Sequence, residues 1–182
     1  MLQHFVRSNR GLAVMEFALV LPVLILLFFG VVDVTRYILI VQKTEKLAHS
    51  VANVTAQSAV ITQATLNQVM DASSDIMDPF ATGANSRIIV SSLYRAAGAA
   101  NATVSWQHQG GGTFAGTSRL GAVGATPTMP TGFTFTEREN VIAAEVYYQF
   151  SPLLPNVWFG TTVIYRSAYY TPRFGALTAA PT

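Results

Sequence analysis

The sequence predicts an α+β fold: a long N-terminal helix, a short second helix and a small antiparallel sheet of about four strands. Three observations carry that expectation. An apolar run near the N-terminus passes directly into an amphipathic stripe, as one continuous helix would. A short helical segment with its own cap follows. From residue 87 onward the texture changes to strand-like alternation broken by glycine and proline.

The long helix is expected over residues 12–56. Its first half, 12–32, reads LAVMEFALVLPVLILLFFGVV. At about 1.5 Å per residue this stretch spans roughly 30 Å, the thickness of a bilayer's hydrocarbon core. Pro22 removes one backbone donor and crowds the Ala18 carbonyl, so a kink is expected there. In the second half Val34, Ile38, Val41, Leu47, Val51 and Val54 recur mostly at three- and four-residue steps, with Arg36, Lys43, Glu45, Lys46 and His49 between them. That stripe is expected to face protein, either the chain's own domain or other subunits.

A second helix is expected over 63–77, with Thr62 as N-cap and Leu66, Val69, Met70, Ser73 and Met77 on one face. Asp78-Pro79 stops it. Strands follow at 87–94 and 102–108, forming a hairpin. Residues 109–131, rich in Gly, Thr, Ala and Pro, are expected to be a surface loop. Two stronger strands come next. In 140–150, Ile142, Ala144, Val146, Tyr148 and Phe150 share a face; in 161–170, Val163, Tyr165, Ser167 and Tyr169 do. Ser151-Pro-Leu-Leu-Pro155 separates them, and the tail after Pro172 is expected to be loosely ordered. Helix is expected to cover one side of the sheet.

Composition excludes several functions. Charged residues make up 11% of the chain and the net charge is +2, with no basic patch, so no nucleic-acid partner is expected. The absence of cysteine excludes disulfides, thiolate metal sites and cysteine nucleophiles. His4, His49 and His108 lack metal-ligand spacing, and Asp71 and Asp75 read as acids on a solvated helix face. No G-x-S-x-G or phosphate-binding glycine motif occurs. Neither catalysis nor a cofactor or metal is expected.

The chemistry concentrates at the N-terminal junction. Glu16 is the only charged residue between Leu12 and Val32, and an acid there is costly without a partner. A secretory signal peptide would have a shorter apolar core and a small-residue cleavage site after it. Here the run continues into Phe28-Phe29-Gly30-Val31-Val32-Asp33. A plain signal anchor with a tolerated acid is the competing reading. Arg7-Ser-Asn-Arg10-Gly11, four apolar residues and then Glu16-Phe17 together resemble the processing site of type IVb prepilins. The resemblance implies a cut after Gly11 that leaves Leu12 with a free α-amine. Glu16 then lies at the i, i+4 distance from Leu12, and its carboxylate would pair with that amine or, as the resemblance favours, with the amine of a neighbouring subunit. Gly11 and Leu12 are thus the expected processing site, and Glu16 and Phe17 the expected assembly or recognition residues.

The wider pattern is similar to the TadE-like family of pilus assembly proteins. At the N-terminus it rests on Arg10-Gly11, on residues 16–22 (EFALVLP), and on Asp33 and Arg36 after the apolar run. A looser likeness covers residues 146–155 (VYYQFSPLLP) and Arg166-Ser167-Ala168. The resemblance implies a pilin-like fold and a minor pseudopilin of a tight-adherence (Flp, type IVb) pilus system, with a structural or priming role. The implied partners are the inner membrane, a prepilin peptidase, other pilin-like subunits and the pilus assembly machinery. The implied organisation is a leader over 1–11, the long helix over 12–56 and a periplasmic α+β domain over 57–182. Lys and Arg flank both ends of the apolar run, so a cytoplasmic N-terminus follows from the resemblance rather than from charge. The alternative is an uncleaved single-pass anchor carrying a periplasmic binding or scaffold domain.

Overall fold

A computed structural model describes residues 9–182 apart from 156 and 159. Most of the expected leader, residues 1–8, lies outside the described residues. The fold is α+β. Helix α1 spans Asn9–Ala56 and α2 spans Gln63–Ser74; strands β1 (Ser86–Tyr94), β2 (Thr103–Gly110), β3 (Asn140–Phe150) and β4 (Thr162–Tyr170) follow. The chain divides into two compact units. One comprises Met1–Ile38 with Ser151–Thr161, the other Leu39–Phe150 with Thr162–Thr182.

In the first unit, α1 runs uninterrupted through Pro22. Every residue from Gly11 to Phe28 is exposed, as expected for side chains that a bilayer would cover. Among the described residues α1 is the one helix long and apolar enough to cross a membrane.

The second unit is built on a four-stranded antiparallel sheet of order β2-β1-β3-β4. One face packs on helix. Ile88, Val90, Ile142, Ala144, Val146, Tyr148, Phe150, Ile164 and Ala168 meet Ile40, Leu47, Ala48, Val51 and Ala52 of α1 and Leu66 and Met70 of α2. The α2 cap forms as expected, the Thr65 amide donating to Thr62 Oγ1 at 3.1 Å. The last expected turn of α2 tightens to a 3₁₀ turn at Asp75–Met77.

Of the expected stripe on α1, Leu47 and Val51 are buried, whereas Val34, Ile38 and Val54 are exposed on the single chain; the buried face of α1 here is Ile40, Thr44, Leu47, Ala48, Val51, Ala52, Thr55 and Ala56. Small side chains on that face let the helix lie close to the sheet. In β4 the helix-facing residues are Ile164 and Ala168, while Tyr169 faces the opposite side. One expectation is corrected, since the tail after Pro172 is tied down: Trp106 Nε1 donates to the Leu177 carbonyl at 2.8 Å, the Leu177 amide to Asn140 Oδ1 at 2.7 Å, and the Gln63 amide to the Thr182 carbonyl at 3.2 Å.

The β2–β3 connection does more than follow the surface. It lies on the second face of the sheet, where Leu120, Met129, Phe133 and Phe135 pack on Leu93, Val104, Val141, Ala143 and Tyr169. This cover leaves Asn140 to Tyr148 buried without a break. The connection enters through Gly111 and Gly112, both at positive φ. A Cβ on Gly112 would lie 2.2 Å from the Ser86 carbonyl oxygen, so only glycine fits that close crossing.

Candidate assembly and processing site

The expected processing and recognition residues all lie in α1. Gly11 is exposed, and a side chain beginning there would meet nothing within 4 Å. Leu12, Glu16 and Phe17 are exposed as well. On one continuous helix Leu12 and Glu16 stand one turn apart, so the carboxylate and the backbone nitrogen of Leu12 share a side of the helix.

At the other end of the apolar run the structure brings together residues that the sequence holds far apart. Asp33 is fully buried. Its carboxylate accepts from the Leu153 amide at 2.9 and 3.0 Å and from the Leu154 amide at 3.4 Å. Arg36 Nη1 donates to the same group at 3.0 Å. The proline-bounded Ser151-Pro-Leu-Leu-Pro155 supplies free amides because it leaves the strand ladder at Phe150, and an acid on the helix takes them up. Beside this clip Trp158 lies against Gly30. Sequence reasoning singled out Asp33, Arg36 and the proline break separately, but not their contact.

A second constellation was missed altogether. Glu145, in the middle of β3, is fully buried on the loop-covered face. One oxygen accepts from the Ser118 hydroxyl; the other accepts from the Arg119 amide at 2.8 Å and the Tyr165 hydroxyl at 2.8 Å. The Arg119 guanidinium stands 4.1 Å over the Tyr165 ring, and the Tyr147 hydroxyl donates to the Thr117 carbonyl at 2.6 Å. Burial, then the Glu145 charge and the hydrogen bond to it, hold the Tyr165 hydroxyl far above the ordinary phenol range. Burial also raises Tyr147 and Tyr169. Glu145 thus ties residues 117–119 of the connection to the sheet. A lone acid inside an apolar strand was the available signal.

Among the described residues no group of three or more His, Cys, Asp or Glu is placed to hold a metal ion. His49 meets the Tyr170 hydroxyl at 3.3 Å and His108 meets Asn67 Oδ1 at 2.8 Å. Burial lowers the His108 pKa.

The N-terminal stretch has a counterpart among known families. Residues 11–60 match the family of TadE-like proteins. The match begins at Gly11 and includes Leu12, Glu16, Phe17, Asp33 and Arg36; the looser likeness at 146–168 lies outside it. No curated protein and no solved structure matches the chain. A TadE-like segment points to a Tad pilus-associated protein with an N-terminal membrane-type helix.

Proposed function

We propose that this chain is a minor pseudopilin of a tight-adherence pilus assembly system, with a structural or priming role and no catalytic one. It enters the inner membrane through α1, N-terminus in the cytoplasm, and is cut after Gly11 by a prepilin peptidase. The observation that carries the reading is Glu16, one turn from Leu12 on an exposed helix of membrane length, inside the TadE-like match. Cleavage would put a cationic amine beside an anionic carboxylate in a poorly hydrated place, where each compensates the other's cost. Pairing between neighbouring subunits would couple processing to assembly, because the amine does not exist before the cut.

N-terminal sequencing of membrane-extracted protein tests the first half: the mature chain should begin at Leu12 in cells with an active prepilin peptidase. A chain that still begins at Met1 would refute it and favour the uncleaved anchor. Glu16→Gln tests the second half. The variant should insert and be cut like wild type, then lose crosslinking to pilin-like partners in membranes. Equal crosslinking would remove the pairing role.

A further inference from the structure

The clip at Asp33 holds apolar side chains at one particular depth. Along α1, Gly30 stands about 27 Å beyond Leu12 at the helical rise, against a hydrocarbon core about 30 Å thick. Trp158 is pinned at that level: a Cβ on Gly30 would meet its Nε1 at 3.2 Å and its Cε2 at 3.3 Å. The indole is 48% exposed, and Leu153 and Val157 beside it are exposed too. Between the ring and the helix runs an apolar slot of about 270 Å³, lined by Leu27, Gly30, Val31, Val34, Thr35 and Trp158. The nearby acid does not oppose an apolar setting, since the Asp33 carboxylate is already taken up by two amides and Arg36.

We propose that Leu153, Val157 and Trp158 form a membrane-interface foot. Trp158 sits at headgroup level, and the slot takes the upper methylenes of a phospholipid acyl chain. Lipid is the occupant because the slot is continuous with the apolar face of a membrane-length helix and lies where that face ends. An indole is a side chain suited to this boundary, where tryptophan is enriched. The Asp33 clip then has a purpose beyond local order. It satisfies the amides of a non-helical segment at the membrane border, where water is too scarce to do so. This inference rests on the membrane reading above.

The test uses the full chain in phosphatidylcholine–phosphatidylglycerol vesicles and the emission of Trp158. That emission is the difference between wild type and Trp158→Phe, because Trp106 is buried in the core. Lipids brominated near the carboxyl end of the acyl chain should quench the Trp158 component strongly. Lipids brominated near the methyl end should quench it weakly, and aqueous acrylamide should scarcely reach it. Integral protein whose Trp158 is open to acrylamide and untouched by either bromolipid would overturn the foot. Trp158 shielded from both quenchers would assign the slot to a second copy or another protein, and overturns it equally. Alkaline washing separates the two failures. Protein released from the vesicles loses the membrane reading and this inference together, whereas retained protein with either contrary pattern loses this inference alone.

Discussion

Replacing Glu145 with alanine removes the acceptor of three donors at once: the Ser118 hydroxyl, the Arg119 amide and the Tyr165 hydroxyl. The three do not weigh equally. Tyr165 is fixed on the sheet, and a donor stranded away from water costs about 1–3 kcal/mol. Ser118 and Arg119 belong to the connection and regain water when it lifts, so their loss appears as release of that segment. The vacated space in a fully buried position adds a cavity cost, while the relief of burying a carboxylate offsets part of the total. The net expectation is about 2–4 kcal/mol of destabilisation. Two measurements on full-length protein in detergent check it. Urea unfolding followed by Trp106 emission in a Trp158→Phe background should show the lower midpoint. Trypsin should cleave after Arg119 at least about thirtyfold faster under native conditions, the equivalent of about 2 kcal/mol in the opening equilibrium. Glu145→Gln, which keeps the shape and one acceptor, should lose less than alanine. A loss below about 0.5 kcal/mol with unchanged cleavage would mean that the carboxylate does not tether the connection.

Two further outcomes follow from the same geometry. The raised phenol pKa values of Tyr165, Tyr147 and Tyr169 mean that the unfolded chain releases these protons first; the contribution of these three groups should be constant below about pH 10 and stability should fall as pH rises above it, and Tyr165→Phe should flatten that fall in a pH series of unfolding midpoints. On α1, Val51→Asp places an unpaired charge in the core and should cost about 3–5 kcal/mol, whereas Val54→Asp, on the exposed side, should stay within about 0.5 kcal/mol; equal effects in thermal unfolding would contradict the observed rotation of the helix.

The contrast between Val51 and Val54 also shows where sequence reasoning stopped. Hydrophobic periodicity located α1 but did not single out the part of its surface that meets the sheet, because it weighted large apolar side chains. The contact face is instead filled by Thr44, Ala48, Ala52 and Thr55, whose size rather than hydropathy permits close packing. The helix-facing side of β3 was legible in Ile142, Ala144, Val146, Tyr148 and Phe150, all of which lie in the core. Its other face was not, because the cover comes from a connection with no periodic signal. Leu120, Phe133 and Phe135 look like scattered hydrophobes until the chain folds back over the sheet. For β4, alternation separated the two faces but did not tell which one meets the helices; that side carries Ile164 and Ala168. At the candidate site, local spacing suffices to single out Gly11 and Glu16, which both fall inside the TadE-like match. The Asp33 clip was not legible, since it joins residues 120 positions apart.

The two acids that bracket the apolar run, Glu16 and Asp33, are treated in opposite ways, and the difference bears on assembly. Asp33 is held entirely by its own chain: two backbone amides and Arg36 surround it, and no solvent reaches it. Such a group has little to offer another molecule, and its energy goes into fixing Leu153 and Leu154 on the helix. Glu16 stands exposed among apolar neighbours on a helix that continues to Ala56. Its charge is costly where it is, and the cost falls only when a cation arrives. A minor subunit with both acids satisfied internally would have no electrostatic reason to join a fibre. One with both acids open would be expensive to hold in a membrane before assembly. Under the proposed function, closing one acid and leaving the other open would keep the precursor tolerable in lipid and reserve a single point of attraction for the amine that cleavage would create.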